Sequence, residues 1–263
     1  MFAHDDQSFG TDSDEAIIEC GSYTGNGSTS GPVIDLGYEP QWLLIKNASS
    51  TFGWAVVDNM REISAYDTRY LQPNTNSAEA AWAGPAIVPN ATGFSLQTGG
   101  GLFNQSGNTY VYVAIRRPNK PPTAGTDVFK PVAATNGDQA ATTGFVVDHC
   151  IWGSRGSSIY NFVSASRLTG KSALVTSGSA AENTGYFSST VWQTNDGMNS
   201  RGVFSSSTST ISWFFKRAPG FFDVVCFTSN SSGATTVNHN LGVAPEILVV
   251  KKRDTTGEWE QYT

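Results

Sequence analysis

The stretch IDLGYEPQWLLIKNASSTFGW, from Ile34 to Trp54, is written a second time near the other end of the chain as HNLGVAPEILVVKKRDTTGEW, from His239 to Trp259. Both carry Leu-Gly, a Pro three residues after the Gly, an apolar run closed by Lys, and a Trp eight residues later. Gly37 and Gly242, Pro40 and Pro245, Lys46 and Lys251, and Trp54 and Trp259 share an offset of 205. Several matches in one register constrain the fold strongly, because a duplicated sequence predicts duplicated structure.

A fainter copy stands between the two. WAVVDNMRE resembles YNFVSASRL and pairs Arg61 with Arg167 at an offset of 106. YLQPNTNSAEA resembles ALVTSGSAAEN and pairs Leu71 with Leu174 and Glu79 with Glu182 at 103. VYVAIRRP resembles SWFFKRAP and pairs Arg117 with Arg217 at 100. A period of about 100 residues is too long for a solenoid repeat and suits one β-sandwich domain.

The expected organisation is therefore an N-terminal segment at 1–16, a first repeat at 17–117, a Pro-rich linker at 118–127, a divergent second repeat at 128–217 and the start of a third at 218–263. The linker PNKPPTAGTD reads as extended and semi-rigid. The third repeat halts after Trp259, so the natural protein is expected to continue, and the abrupt start suggests a cut at the N-terminus as well.

Each repeat reads as strands. QWLLIK and EILVVK are short continuous apolar runs, the pattern of strands buried on both faces. The Gly-x-x-Pro before them is turn chemistry, since Gly permits positive φ and Pro fixes φ where a strand begins. NASSTFG and RDTTG read as hairpin loops, and TYVYVAIRR is a strand by its β-branched and aromatic content. One short helix is predicted around NSAEAAWAG, residues 76–84.

Composition agrees. Only 14% of the 263 residues are charged, so the polar surface is built from Ser, Thr, Asn and Gly, which compete with helix hydrogen bonds and favour turns. The predicted fold class is all-β: tandem sandwich-like, jelly-roll-like domains of about 100 residues, the last incomplete.

A net charge of −6 disfavours phosphate backbones, so no nucleic-acid partner is expected. The basic clusters Arg116-Arg117, Lys216-Arg217 and Lys251-Lys252-Arg253 read as solvated strand ends. The start of the chain lacks the apolar stretch of a signal peptide, and no run approaches the ~20 apolar residues of a membrane helix. Cys20, Cys150 and Cys226 are widely spaced and odd in number, which argues against disulfides and structural zinc; with the scattered His4, His149 and His239 they give no metal or cofactor expectation.

Chemistry-bearing motifs are weak. The carboxylates of HDD at 4–6 and DSDE at 12–15 read as solvated loop charge, although a sugar-cleaving enzyme would need two carboxyls across its bond. Glu79 and Glu182 recur, and a recurring residue serves the fold more often than a reaction. In DHC, residues 148–150, neighbours on a strand face opposite ways, so His149 and Cys150 do not pair. TGGGLF, residues 98–103, reads as a flexible turn. Aromatics are the best functional candidates. Trp54 and Trp259 recur and read as packing residues, whereas Trp82, Trp152, Trp192, Tyr66 and Tyr70 stand near loops where a ring beside amides could hold a sugar.

The segments CGSYTGNGS, IDLGYEPQWLLIKNASSTFGW, NTYVYVAIRRP and FFKRAPGFFDVVCFTSN, with the second LG-x-x-P phrase, resemble a tandem domain of tail-fibre-like and other virion-associated proteins of tailed bacteriophages, many of them marine. The resemblance covers nearly the whole chain, but the second repeat lacks the LG-x-x-P turn. It supplies no catalytic residues. It implies a virion structural protein, made in the host cytoplasm without a signal peptide, that contacts other virion proteins and a host-surface glycan or receptor. Fibres of this kind are commonly trimers. The alternatives are an architectural decoration or connector protein without ligand, and a polysaccharide-degrading tailspike.

Overall fold

The computed structural model describes residues 16–61, 63–134, 140–156, 161–188, 190–199, 209–230 and 233–263. The N-terminal carboxylates at 4–6 and 12–15 lie outside them. The fold is all-β, built of antiparallel strands with two short 3-10 turns among the described residues. The chain divides into two units. Unit 1 comprises 1–118 and 227–238; unit 2 comprises 119–226 and 239–263. The last stretch, 218–263, is thus shared between them.

In unit 1, β1 (Ile18–Thr24), β3 (Pro40–Asn47), β4 (Trp54–Asp58) and β9 (Thr109–Arg116) form a sheet of order β1-β9-β3-β4. A second sheet has the order β2-β8-β7, from β2 (Val33–Asp35), β7 (Ile87–Asn90) and β8 (Gly93–Leu96), and β5 (Thr68–Tyr70) pairs with β6 (Ala80–Trp82). Alternation along the strands sends Leu43, Ile45, Ala55, Val57, Tyr110, Tyr112 and Ala114 inward, where they join Ile34, Ile87, Phe94 and Leu96 of the three-stranded sheet in one core. Phe94 meets Tyr112 edge-on at 5.7 Å, and Tyr23 stacks on Tyr110 at 4.9 Å. Each fully buried Leu or Phe contributes about 1.5–3 kcal/mol relative to exposure.

In unit 2, β10 (Phe129–Ala134), β11 (His149–Ser154), β12 (Val163–Ser166), β13 (Leu174–Val175) and β14 (Thr210–Phe215) form a sheet of order β10-β14-β11-β12-β13. A separate hairpin pairs β15 (Leu248–Lys251) with β16 (Trp259–Tyr262). The core gathers Val147, Cys150, Trp152, Val163, Phe187, Val191, Trp192 and Phe214.

The two larger sheets share a register. Ile115 faces Ile18 on one side and Trp42 on the other, as Phe215 faces Phe129 and His149. Trp42 then faces Asp58, and His149 faces Ser166. Val56 bridges to Leu71 where Ser164 pairs with Leu174. After the second strand in each order comes a buried arginine: Arg117 donates its backbone N–H to Glu39 O at 2.8 Å, and Arg217 donates its own to Asp148 Oδ2 at 2.8 Å.

Four readings of the sequence are corrected. Residues 76–84 form no helix; Ala80–Trp82 is a strand, because pairing with β5 and the burial of Trp82 against Phe103 outweigh the helix propensity of its alanines. Arg117 and Arg217 are buried, at 6% and 3% exposure, and not solvated, since each is engaged where its strand turns. Within the linker, Gly125–Asp127 is a 3-10 turn capped by the Asp127 carboxylate, which accepts from the N–H groups of Thr123 and Ala124. In EILVVK, Ile247, Leu248 and Val249 are 62%, 49% and 55% exposed, because among the described residues β15 pairs with β16 alone.

Candidate functional site: an aromatic and amide patch at the hairpin end of unit 1

The patch begins with the β3–β4 hairpin. Lys46 and Trp54 are cross-strand partners, and Ala55 and Val57 face the core, so Trp54 projects to the opposite face and is 38% exposed. The loop between them is held from inside. Lys46 Nζ donates to the carbonyls of Asn47, Ser50 and Phe52, so the ammonium stitches the loop closed. Phe52, at the loop's far side, is 44% exposed. Gly53 separates the two rings, and the side-chain amides of Gln72 and Asn74 pack against it. A β-carbon on Gly53 would lie 2.6 Å from Gln72 Nε2. Asn74 Oδ1 accepts the Trp54 backbone N–H at 2.9 Å.

Behind this surface lies the glycine run 99–101. A β-carbon on Gly100 would sit 2.3 Å from the Trp82 ring, and one on Gly101 would sit 2.3 Å from the Phe52 ring. Glycine is thus required because two aromatic side chains lie directly on the backbone. The run is tied, not free: Gly101 O accepts from Tyr110 Oη at 2.8 Å and from Asn47 Nδ2 at 2.9 Å. Burial raises the Tyr110 phenol above its ordinary value, so it stays protonated and able to donate. Asn104, fully buried, donates from Nδ2 to Thr98 O, Ser28 O and Asn26 Oδ1, and its Oδ1 accepts from Asn26 N.

The recurring residues divide between this hairpin and structural roles elsewhere. Gly37 and Gly242 both have φ of 70°, the left-handed conformation of a turn, and Gly37 donates its N–H to Asp35 Oδ1. Pro40 opens β3, where the register with β9 shifts, and exposed Pro245 precedes β15. Lys251 and Trp259 are cross-strand partners like Lys46 and Trp54. Their contacts differ, however: Lys251 Nζ donates to Ser179 O and Ala180 O, and Trp259 Nε1 to Val175 O. Arg61 pairs with Asp58 and Glu79, whereas Arg167 is buried, donates to Val147 O and Trp192 O, and lies 5.6 Å from the Trp192 ring centroid. The matched glutamates both meet arginine: Glu79 meets Arg61 and Arg69, and Glu182 meets Arg253 through two hydrogen bonds.

Among the other aromatic candidates, Trp152 and Trp192 are core residues with no exposed surface, and Trp82 is half-buried against Phe103 and Tyr70. Phe52, Gln72 and Asn74 carried no signal in the sequence, since their proximity depends on β5 meeting β4. His149 faces away from the core, between the rings of Phe215 and Phe222, with Ser164 Oγ 3.4 Å from Nε2. Burial pulls its imidazole down to about 4, and the Asp148 carboxylate is turned to Arg217. Cys150 points into the core, so DHC forms no relay. Among the described residues, no group of three or more His, Cys, Asp or Glu could hold a metal ion.

Residues 15–118, the first stretch of unit 1, match a family described as a domain of unknown function (DUF7483). No curated protein matches the chain, and no solved structure does.

Proposed function

We propose that the chain is a repeat module of a bacteriophage virion appendage, with tandem β-sandwich units, and that the patch on unit 1 holds a carbohydrate of the host surface. The observation that carries the binding reading is the pair of exposed rings, Phe52 and Trp54, flanking two amide side chains on a backbone held by Lys46, Asn47 and Asn104. A sugar ring offers an apolar face and a rim of hydroxyls. An indole or phenyl face stacks on the former, and an amide, with two donors and an acceptor, matches the latter. The framework beneath is already bonded, so little side-chain order is lost on binding. The chain's shortage of charge suits a neutral polyhydroxyl ligand better than an ionic one.

The resemblance to virion proteins supplies the setting. Repetition along an appendage, and self-association of the kind such fibres show, would link weak sites and raise avidity by several orders of magnitude. The test is a glycan array and a whole-cell binding assay with the purified chain. Retention on a restricted set of glycans, abolished by Trp54→Ala, is the expected result. No retention at any sugar, with the chain folded, would leave the architectural role. Shortening of a polysaccharide on incubation would favour the tailspike.

A further inference from the structure

The glycines at 99–101 answer to room and not to backbone conformation. None of the three is among the glycines with positive φ, so a residue with a β-carbon could hold the same backbone. What excludes it is close approach. A β-carbon on Gly99 would lie 2.4 Å from Gly27 O, one on Gly100 would lie 2.3 Å from Cζ2 of Trp82, and one on Gly101 would lie 2.3 Å from Cε2 and Cζ of Phe52. The benzo edge of Trp82 and the tip of the Phe52 ring therefore converge on one peptide unit.

Both rings keep surface towards solvent: Phe52 is 44% exposed, and Trp82 is half-buried, with Phe103 and Tyr70 against it. Trp54, 38% exposed, is separated from Phe52 by Gly53 alone. The order of the rings is thus Trp54, Phe52, Trp82. Side-chain amides stand at both junctions of this row. Gln72 and Asn74 pack against Gly53, between Trp54 and Phe52. Exposed Gln105 has its Oε1 3.1 Å from the β-carbon position of Gly101, between Phe52 and Trp82, and Asn108 Nδ2 orients it by donating to that oxygen at 3.3 Å.

Resting on the carbohydrate reading, we propose that this row takes an unbranched chain of at least three neutral sugars, one at each ring, and not a single terminal sugar. Phe52 is the middle position, and Gly101 is a positioning residue that lets its ring lie between the two indoles. Each ring offers one stacking face, and the amides at the junctions meet the hydroxyls on either side of a glycosidic bond. Sugars joined in one chain reach the second and third rings without a further cost of association, so affinity grows with chain length.

The test is an array carrying glucose, galactose, mannose and N-acetylglucosamine, each as the single sugar and as unbranched oligomers of two to six residues, probed with the whole chain. For a retained sugar, affinity should rise at least tenfold from one residue to three and level off beyond. Gly101→Ala drives a methyl group into the Phe52 ring, which yields because it is the exposed end of a side chain, so the fold is kept. Gly101→Ala and Phe52→Ala should each weaken binding of the three-residue oligomer about tenfold and leave binding of the single sugar unchanged. Equal affinity for one and three residues of the retained sugar would overturn the chain-length inference and leave the carbohydrate reading in place. So would wild-type affinity for the three-residue oligomer in both variants. Retention of no sugar at any length would overturn both at once.

Discussion

Replacing Asn104 by Asp tests the scaffold beneath the patch with almost no change in volume. The Asn104 amide nitrogen donates to Thr98 O at 2.7 Å, Asn26 Oδ1 at 2.9 Å and Ser28 O at 3.0 Å. In the variant an anionic oxygen faces those three oxygens. Asn26 is exposed and can turn to water, but Thr98 is buried, and a buried acceptor without a partner costs about 1–3 kcal/mol. Burial of charge against oxygen lone pairs adds to this, giving a total of about 3–5 kcal/mol. Asn104→Ala loses the same hydrogen bonds without the charge and should cost about 2–3 kcal/mol. The order, Asp worse than Ala, reverses what side-chain volume predicts. It also carries a pH signature. Protonation of the new carboxyl restores one donor, and burial against oxygens raises its folded-state value, so the Asp variant should recover towards the Ala variant as pH falls from neutral down to the ordinary carboxylate range. Urea unfolding, with the unit 1 transition assigned by hydrogen exchange of β9, reads both effects. An Asp variant within about 1 kcal/mol of wild type at neutral pH would refute the reasoning.

Other expectations follow from the buried polar groups. Asp148→Ala leaves the Arg217 backbone N–H and guanidinium without that carboxylate in a site where both side chains are almost fully covered, and should cost about 3 kcal/mol in unit 2; the double variant with Arg217→Met should recover part of it. His149 is neutral in the folded state, with its imidazole drawn to about 4 from an ordinary 6.5. The unfolded chain therefore binds more protons between those values. The stability this contributes is complete above about 6.5 and is lost as pH falls towards 4, by about 2–3 kcal/mol. Replacing His149→Gln should flatten that part of the stability–pH curve, and an unchanged slope would contradict it.

The parts of the fold legible in the sequence are those written in local chemistry. Lys46 and Trp54 bracket a hairpin because an apolar run, a polar loop and a second apolar run follow one another, and the same logic reads Lys251 and Trp259. β9 is legible as a strand from its β-branched and aromatic content, and its kinship with β14 from the likeness of VYVAIRRP to SWFFKRAP. What was not legible depends on partners distant along the chain. Residues 76–84 carry helix-forming alanines, yet β5 and the Phe103 ring make Ala80–Trp82 a strand. Arg117 and Arg217 looked like solvated ends because no local feature shows what they meet. The leucine and valines of EILVVK announced burial that only a neighbouring strand could provide. For the site, the recurrence of Trp54 is legible and points to packing, whereas its exposure follows from facing outward on β4. The glycine run 99–101 reads as a loose turn, because the rings of Trp82 and Phe52 and the amide of Asn47 that hold it come from positions distant along the chain.

The most direct measurement is the affinity of the chain for the strongest glycan found on the array, taken by calorimetry for wild type, Trp54→Ala and Trp213→Ala. Trp213 belongs to β14 and stacks on Phe162 at 5.7 Å in unit 2, so it serves as a tryptophan control away from the patch. The account predicts that Trp54→Ala weakens binding at least tenfold, whereas Trp213→Ala leaves it unchanged. Equal affinity of wild type and Trp54→Ala would contradict a carbohydrate site at this patch.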